Sequence, residues 1–248
     1  MRIGFVCLMV VAGALIGSLA GCGGGGAGTN LPDPLVRFVN SSPDSNPEDF
    51  FINTDKEAAA LAYLSSSADI SSKKGDHDIS VQDSTNQTVL DDVAFTLAQD
   101  KKYLDITIGL ENYGTENLKR LQEVVFTYDK STPNGNQARL FVMHAYNRAV
   151  GFETPNIDFQ GGQVGSYDPN NPQFSAPNLS YAASSPFTLL VDSGVSLIFQ
   201  ARRAGTENVL ASDPGTTFDA GGIYLVLVSG IEGGAGPQAP TVKYIKLN

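Results

Sequence analysis

The sequence predicts an all-β protein built from two tandem β-sandwich domains. Short segments of alternating apolar and polar residues, bounded by turn residues, recur at the spacing expected of an antiparallel sandwich. The only long helical pattern is the apolar stretch at the N-terminus. The chain also contains a repeat, since residues 35–53 and 139–160 each hold an alternating strand with an arginine, a polar turn, and a second strand with an early aspartate and aromatic residues.

The N-terminus has the form of a secretory signal peptide. One positive charge, Arg2, precedes a run of apolar or small residues that is marginal for a membrane span and is interrupted by glycines. The run ends in Leu19-Ala20-Gly21-Cys22, which resembles the bacterial lipobox. That resemblance implies removal of residues 1–21 and attachment of lipid, palmitate included, to Cys22. The alternative is a chance cysteine at the end of an ordinary signal peptide.

The segment after the predicted signal is a tether. Residues 22–34 comprise Cys22 and a Gly-rich stretch with prolines, a composition that holds neither a helix nor a core. In enterobacterial lipoproteins an aspartate after the lipidated cysteine signals retention in the inner membrane, whereas this chain has Gly23. We therefore expect a lipid-anchored protein of the cell envelope, in the outer membrane, that faces the periplasm or the cell surface.

Composition excludes several partners and several means of stabilisation. The net charge of −10 and the pI near 4.5 argue against nucleic acid and against electrostatic adhesion to anionic headgroups. The only cysteines are Cys7 and Cys22, so the exported body has no disulfide. Its stability must come from buried apolar surface, which a chain of this length can supply.

The repeat divides the exported body into two domains. The first is expected over residues 35–129 and the second over 138–248, with a breaker-rich linker at 130–137. One local pattern departs from the all-β expectation. Residues 54–57 match a helix capping box ahead of an alanine-rich run, and we expect a turn or two of helix there, although the repeat favours a strand near Tyr63.

The opening of each repeat resembles a bacterial family of Ig-like modules known as domain of unknown function 4397. Its members begin with a strand that carries Arg and ends in His, followed by Ala-Ser-Pro-Asp. Arg37 and the Ser-Pro-Asp that follows match this pattern, with Asn40 where His is usual. The second copy keeps His144, with two extra residues between it and Arg139, and loses Ser-Pro-Asp. The resemblance implies tandem Ig-like sandwiches, commonly exported and lipid-anchored, and it implies no chemistry.

The residues offer little for catalysis. A hydrolytic triad needs a histidine base, and only His77 and His144 exist, neither near a nucleophile-elbow motif. We interpret His77 as a solvated turn residue and His144 as a structural residue at a strand end. The sequence therefore predicts no catalytic residue, no cofactor and no enzyme. Asp168 and Asn170 are weak calcium candidates without the EF-hand spacing, so no metal is predicted.

The second repeat contains a long insertion, residues 161–178, in a Pro/Asn/Gly-rich context. Long loops in compact domains are often functional, so Tyr167 and Phe174 are candidate ligand-binding residues on a rigid scaffold. The alternative is a loop that folds back over its own sheet and buries both rings.

These observations predict a non-catalytic binding or structural module held at the membrane by the lipid on Cys22. Its further partner is an unknown envelope protein or glycan. One alternative is an assembly subunit that associates through exposed sheet edges. The other, a loop-borne hydrolase, lacks a base and a nucleophile pair.

Overall fold

The computed structural model describes residues 31–112, 120–148 and 154–248, and strands account for nearly all regular structure there. The predicted signal peptide, Cys22 and the tether up to residue 30 lie outside the described residues. No helix in the described ranges is long and apolar enough to cross a membrane. The elements in chain order are β1 (Leu35–Asn40), β2 (Glu48–Ile52), β3 (Asp55–Leu61), β4 (Ile70–Ser71), β5 (Gly75–Asp83), β6 (Val89–Leu97), β7 (Lys102–Ile108), β8 (Gln122–Thr127), β9 (Gln137–Asn147), β10 (Ile157–Gln163), β11 (Phe174–Leu179), β12 (Phe187–Asp192), β13 (Ser196–Arg203), β14 (Val209–Ser212), β15 (Thr216–Thr217), β16 (Ile223–Ile231), a one-turn 3-10 helix (Gly236–Gln238) and β17 (Thr241–Lys246).

The strands form four sheets, two from each half of the chain. In the first half, the sheet of order β4-β1-β7-β8 packs on the sheet of order β3-β2-β5-β6, and we call this pair sandwich 1. In the second half, the sheet β12-β9-β16-β17 packs on the sheet β11-β10-β13-β14, and we call this pair sandwich 2. The predicted all-β class and its sandwich architecture are confirmed.

One strand pair in each sandwich departs from the predicted antiparallel arrangement. β1 pairs with β7, and β9 with β16, in parallel, whereas the other paired strands among the described residues are antiparallel. After β1 the chain forms the strands of the opposing sheet, and β7 then returns to the first sheet and runs beside β1 in the same direction. Parallel neighbours require such a crossover, so this topology accounts for the mixed sheets.

The sheet register shows that sandwich 2 repeats sandwich 1 strand for strand. Val36 lies opposite Tyr103, and Leu140 lies opposite Tyr224. Each of these tyrosine hydroxyls accepts the backbone N–H five residues earlier, at 2.8 and 3.1 Å. From this anchor, β1 to β8 correspond in turn to β9, β10, β11, β12, β13, β14, β16 and β17.

The same register refines the alignment inferred from the sequence. Asn40 lies opposite Thr107 and corresponds to His144 without any inserted residue. Arg37 corresponds instead to Phe141, so the two arginines are displaced by two positions along one face of the strand. A shift of two leaves a strand residue on the same face, so both arginines lie on the same side of their sheets.

The helix expected after residue 54 is wrong, because β3 occupies residues 55–61. β3 pairs with β2 through two irregularities in register, and Ala60 lies there at a φ of +49°. The Asp49 carboxylate accepts the Ala60 N–H at 2.7 Å and pairs with Lys56 at 2.5 Å. Pairing with β2 and the Asp49 side chain thus override the helical propensity of the alanine run.

The two sandwiches share an apolar interface, so the protein has four β-layers. Sheet β4-β1-β7-β8 and sheet β12-β9-β16-β17 each bury side chains on both faces, one toward the interior of their own sandwich and one toward each other. Residues 31–248 accordingly form one compact unit. The buried side chains of the interface include Leu104, Ile106, Phe126, Phe141, Met143, Leu225, Leu227 and Ile245.

Polar groups also join the two sandwiches. Arg37 Nη1 donates to the carbonyl oxygen of Lys246 at 2.6 Å. The hydroxyl of Ser229 lies 2.9 Å from that of Ser41, and it accepts a hydrogen bond from the Tyr63 hydroxyl at 3.0 Å. Since the serines are fully buried, these bonds satisfy groups that water does not reach.

The segment predicted as a linker, 130–137, is tied to the sandwiches at several points. Arg139 Nη1 donates to the carbonyl oxygens of Ser131, at 2.7 Å, and Asp129, at 3.1 Å. Pro133 is buried, and the Ser193 N–H donates to the Asn136 carbonyl at 2.7 Å. The segment therefore connects packed layers, and the proposed domain boundaries stay a prediction.

Candidate functional site

A cleft of about 520 Å³ opens where β7 begins, β8 ends and the connecting segment starts. We call it the junction cleft, because the segment that joins the two sandwiches forms one of its walls. The residues that line it are Asp100, Lys101, Lys102, Tyr128, Asp129, Lys130, Ser131 and Thr132. Its volume lies in the range typical of small-ligand sites.

An ion-pair network holds the inner wall of the junction cleft. The Asp69 carboxylate is 2.6 Å from Lys102 Nζ and 2.6 Å from Arg37 Nη2. All three side chains are largely buried, so their positions are fixed more firmly than those of an exposed pair. Arg37 therefore pairs with Asp69 at the cleft wall and also donates to the Lys246 carbonyl oxygen across the sandwich interface.

The outer wall carries two further ion pairs. Lys130 pairs with Asp100, and Arg139 Nη1 lies 2.9 Å from an Asp129 carboxylate oxygen. Lys101 is exposed at the cleft, and it forms no ion pair with any residue that the structure describes. Its ammonium group is thus available to a bound molecule.

Tyr128 is the most unusual residue of the cleft. Its side chain is buried, with 7% of its surface exposed, and its ring packs edge-on against Phe141 at 5.7 Å. Its hydroxyl oxygen has no hydrogen-bond partner among the described residues. Burial raises the pKa of Tyr128 above its ordinary value, so the hydroxyl is a neutral donor. The hydroxyl oxygen exposes less than 1 Å² of surface, so a molecule in the cleft does not reach it in this structure.

His144 is buried and serves a turn. Its Nε2 lies 2.9 Å from the Pro155 carbonyl oxygen, and its Nδ1 accepts the Tyr146 N–H at 3.3 Å. Burial lowers the pKa of His144 to about 4, so the ring is neutral. Asn40, at the equivalent position, accepts the Ser42 N–H at 2.9 Å and donates to a backbone carbonyl at 3.0 Å. Asn40 and His144 thus make equivalent hydrogen bonds, each to the N–H two residues later and to a backbone carbonyl.

His77 lies on β5 and is half-buried, with both ring nitrogens engaged locally. Nε2 is 2.8 Å from the Lys73 carbonyl oxygen and Nδ1 is 3.1 Å from Asn53 Nδ2. The residue borders a second, polar cavity of about 310 Å³ together with Asp55 and Glu57. Among the described residues, the ring nitrogens of His77 and His144 bond to backbone groups and to the Asn53 amide, and neither ring is hydrogen-bonded to a hydroxyl group.

The predicted 161–178 loop is shorter than the sequence suggested. Residues 161–163 continue β10 and residues 174–179 form β11, which pairs with β10. Phe174 therefore belongs to a strand. Its half-buried ring faces the interior of sandwich 2, with its centroid 6.3 Å from that of Phe199. This placement is that of a core residue at the sheet edge.

Tyr167 lies on the opposite, outer face of the same sheet. It is half-buried, its ring covers Gly162, and its hydroxyl donates to Gln200 Oε1 at 3.3 Å. Since Phe174 points inward and Tyr167 lies outside, the sheet separates the two candidate residues. The structure does not bring them into one site.

The weak calcium candidates form a local turn. The Asp168 carboxylate accepts the Asn170 N–H at 2.9 Å, and the Asp168 carbonyl accepts the Asn171 N–H at 3.0 Å. Within the described ranges no group of three or more His, Cys, Asp or Glu side chains could hold a metal ion. The turn geometry accounts for these residues without a cation.

A buried acidic cluster lies inside sandwich 1. Glu48, Asp105 and Glu123 are buried between its sheets, and Thr107 donates to one oxygen of Glu48 at 2.6 Å. Asp105 and Glu123 adjoin one another, and no other described side chain donates to their oxygens. Burial raises the pKa of Glu48 to about 8 and that of Asp105 to about 7. Burial also raises the pKa of Glu123, and the neighbouring Asp105 raises it further. These acids hold protons in the folded chain near neutrality.

The sequence did not single out the junction cleft. Tyr128 looks like the end of an ordinary strand, and its missing hydrogen-bond partner is visible only in three dimensions. The dipeptide Lys101-Lys102 is the one local signal at the cleft, and it is not distinctive, because Lys73-Lys74, Lys119-Arg120 and Arg202-Arg203 are similar basic pairs.

Fold and cleft together define a rigid tandem β-sandwich protein with a small polar cleft at the junction of its halves. The chain belongs to the family described as Domain of unknown function (DUF4397), whose model matches residues 34–160. The match spans sandwich 1 and the first strands of sandwich 2, in agreement with the resemblance found in the sequence.

Two solved structures show a distant likeness to the chain. The carbohydrate-binding module CBMbc, family CBM26, of Eubacterium rectale Amy13K, solved with maltoheptaose, is 11% identical, with 87% of this chain and 97% of that chain covered and a TM-score of 0.24. A cell adhesion protein from Bacteroides ovatus is also 11% identical, with 88% and 96% covered and a TM-score of 0.23. Scores this low carry no argument about function. A search of curated proteins gave no match.

Proposed function

We propose that the protein is a lipid-anchored, non-catalytic binding module of the cell envelope that takes its ligand in the junction cleft. The observation that carries this proposal is a cavity of about 520 Å³ that is lined by Lys101, an exposed lysine without an ion pair among the described residues. Binding sites need a few fixed polar groups on a rigid scaffold. The ion pairs around Asp69 supply the rigidity here.

The non-catalytic part rests on the two histidines. His144 is buried, neutral and bonded to backbone groups on both ring nitrogens. His77 makes the same kind of local bonds on the surface. A general base must reach a nucleophile or a substrate proton, whereas the nitrogens of both rings are already hydrogen-bonded within the protein. Steady turnover of an ester or glycoside panel by the purified protein would contradict this part.

The anchoring part rests on the Leu-Ala-Gly-Cys sequence at residues 19–22. We expect Cys22→Ala to lose its acyl label and to accumulate unprocessed or mislocalised in the host, because no other group in the chain is proposed to hold the lipid. Labelling with an alkyne fatty acid and fractionation of membranes measure this. Normal partitioning of the variant into detergent would show that a lipid on Cys22 is not what holds the protein at the membrane.

A photo-crosslinking amino acid placed at the cleft tests the binding part. At Thr132, which is exposed on the cleft wall, we expect light-dependent capture of envelope material in intact cells. The matched control is Thr206, an exposed turn residue of sandwich 2 outside the cleft. Equal capture from both positions, or none from Thr132, would count against a ligand in the junction cleft.

A further inference from the structure

The chain enters sandwich 1 at the rim of the junction cleft. The Leu31 carbonyl oxygen accepts a hydrogen bond from the Gln99 side chain at 3.1 Å, and the Pro32 carbonyl oxygen accepts the Asp100 N–H at 2.9 Å. Asp100 itself lines the cleft. The first described residues are therefore bonded to the turn between β6 and β7, which fixes the point where the chain joins the sandwich.

Lysines flank this entry point on both sides. On one side, the turn after β4 donates a backbone N–H to the Pro34 carbonyl oxygen at 3.0 Å and continues into Lys73 and Lys74. On the other side, the Lys101 carbonyl oxygen accepts the Leu35 N–H at 3.0 Å. The three lysines are exposed, and none forms an ion pair with a residue that the structure describes.

The surface around the entry point carries a positive surplus. We call it the tether-exit surface and define it by Leu31, Lys73, Lys74 and Lys101, all of which are exposed. Two neighbouring acids are neutralised within the protein, because Asp100 pairs with Lys130 and Asp129 pairs with Arg139. Asp33 is exposed in the same segment without an ion pair, so three lysines stand against one acid.

The outer face of sandwich 1 has the opposite charge. Asp76, Asp78 and Asp92 are exposed on the neighbouring strands β5 and β6, and none of them forms an ion pair with a described residue. They point away from the core, because Ile79 and Val81 fill it from the other face of β5. An anionic surface repels this face and attracts the tether-exit surface.

We propose that the tether-exit surface faces the lipid bilayer and that its lysines contact anionic lipid headgroups. This inference rests on the proposed lipid anchor and adds which side of the protein meets the membrane. Cys22 precedes Leu31 by nine residues, and nine residues span at most about 30 Å. A lipid on Cys22 therefore holds this surface near the bilayer.

The lipid supplies the attachment, and the charges select only the side that turns to the bilayer. Each lysine beside an anionic surface favours this orientation by about fivefold. Lys101 belongs both to the tether-exit surface and to the junction cleft, so the cleft opens on the bilayer side of the protein. A ligand of the cleft is then a molecule that reaches the headgroup layer.

Fluorescence quenching in vesicles tests this orientation. The lipoprotein purified from host membranes is reconstituted into phosphatidylethanolamine and phosphatidylglycerol with a lipid that carries a nitroxide on its headgroup. A thiol-reactive fluorophore is attached at Ala98→Cys or Thr88→Cys, exposed positions at the two ends of β6, whose nine residues separate the labels by about 30 Å. We expect at least about threefold stronger quenching at Ala98→Cys, given the contribution of each lysine. Equal quenching, or stronger quenching at Thr88→Cys, would overturn the proposal.

Lysine substitutions separate an orientation selected by charge from simple tethering. Lys101→Gln should lower the ratio of quenching at the two labels, and its combination with Lys73→Gln and Lys74→Gln should lower it to less than about half the parent value. Lys243→Gln, at an exposed lysine of β17, is the charge-matched control for Lys101→Gln and should leave the ratio unchanged. Vesicles of phosphatidylcholine alone should reduce the ratio of the parent protein, because they offer no net negative charge. A ratio that is the same in the parent and the triple variant would show that the lysines do not meet the headgroups.

Failure of this inference is distinguishable from failure of the proposed function. Mass spectrometry of the purified protein shows whether Cys22 carries lipid. A chain without lipid would contradict the anchor and, with it, this orientation. A lipidated chain whose two labels are quenched equally would contradict the orientation alone and would leave the anchor in place.

Discussion

The two sandwiches share one topology and an apolar core, but they differ in core chemistry at three positions. Three buried acids of sandwich 1 stand where sandwich 2 has aliphatic side chains. The equivalent positions, by sheet register and by the matching bonds of Asp49 and Asp158, are Glu48 and Ile157, Asp105 and Val226, and Glu123 and Val242. The fold therefore does not depend on these core residues. Buried acids stay only if they are protonated or bonded, so sandwich 1 depends on proton uptake and sandwich 2 does not.

What is common to both sandwiches is the set of bonds that fixes turns and bulges. Asp49 and Asp158 each accept the N–H of a residue with positive φ in the following strand, at 2.7 and 2.8 Å. Gly109 and Gly230 have φ values of +115° and +112°, and a Cβ atom at these positions would lie 2.5 and 2.6 Å from a backbone oxygen. The duplicated architecture is thus maintained by backbone geometry more than by core composition.

The largest effect is expected when the acid of sandwich 1 is copied into sandwich 2. Val226→Asp places a carboxyl group in a core with no partner prepared for it, and we expect it to lower the free energy of unfolding by about 3 kcal/mol or more at pH 7. Urea unfolding measures this, with Val226→Ala as the control for lost volume. The reverse change, Asp105→Val, should be neutral or stabilising at pH 9. If Val226→Asp and Val226→Ala lowered the free energy of unfolding equally, the core of sandwich 2 would tolerate an acid and the proposed difference between the two cores would be wrong.

The pH dependence of stability is expected to reflect the same contrast. The folded pKa of Glu48, about 8, and the raised pKa values of Asp105 and Glu123 lie above their unfolded values. The stabilisation that these protonated acids contribute is therefore complete at acidic pH and is lost as the pH rises toward 9. We expect the free energy of unfolding to fall by a few kcal/mol over that range. Glu48→Gln combined with Glu123→Gln should flatten this loss in urea unfolding at several pH values. A stability that rises between pH 5 and 9 would contradict protonated acids in sandwich 1.

The loops after the second strands differ as well. Sandwich 1 joins β2 to β3 through two residues, whereas sandwich 2 joins β10 to β11 through ten. Phe174→Ala should lower the unfolding free energy by about 2 kcal/mol, because the half-buried ring packs on Phe199. Tyr167→Ala should cost less than about 1 kcal/mol, since it loses one long hydrogen bond and a partly exposed contact.

Melting and partner binding measured on both single variants decide whether this loop is a site. Reduced binding with Tyr167→Ala alone would support the outer face of the sheet as a second contact surface. Unchanged binding with both variants would leave the loop with a structural role only.

The turn at the end of the first strand offers a smaller test. His144→Asn installs the side chain that Asn40 already provides at the equivalent position. We expect it to cost about 1 kcal/mol or less at pH 7, and His144→Ala to cost more, because alanine leaves the Tyr146 N–H without a partner. His144 has a folded pKa of about 4, below its unfolded value, so its contribution is lost as the pH falls from about 6.5 to 4. His144→Asn should therefore also reduce the acid-induced loss of stability, which thermal melts at pH 4 and 7 would show.

The sequence was sufficient for the strands and the repeat, and insufficient for how the layers meet. The alternation of apolar and polar residues predicted β1 and β5, because it is a local consequence of a half-buried sheet. The early aspartates Asp49 and Asp158 indicated the second strand of each repeat. β3 was missed, since its alanines favour helix until β2 pairs with them. The continuous apolar run of β16 contained a signal that its sheet is buried on both faces. The junction cleft depends on contacts between residues far apart in the chain, such as Arg37 and Lys246, which no local pattern shows.

The smallest effect is expected from cutting the chain between the sandwiches. A protease site inserted near Asn134, an exposed position, should be cleaved readily, as the breaker-rich composition predicts. Because apolar side chains such as Leu104 and Leu225 are buried between the sandwiches, we expect the halves to remain together as one body. Size-exclusion chromatography after cleavage should show an unchanged elution volume, and a melt should show one transition. Elution of two folded halves would instead support independent domains at residues 35–129 and 138–248. As a control, Leu225→Asp in the cleaved protein should release the halves, because an ionised side chain at the interface removes the attraction that holds them.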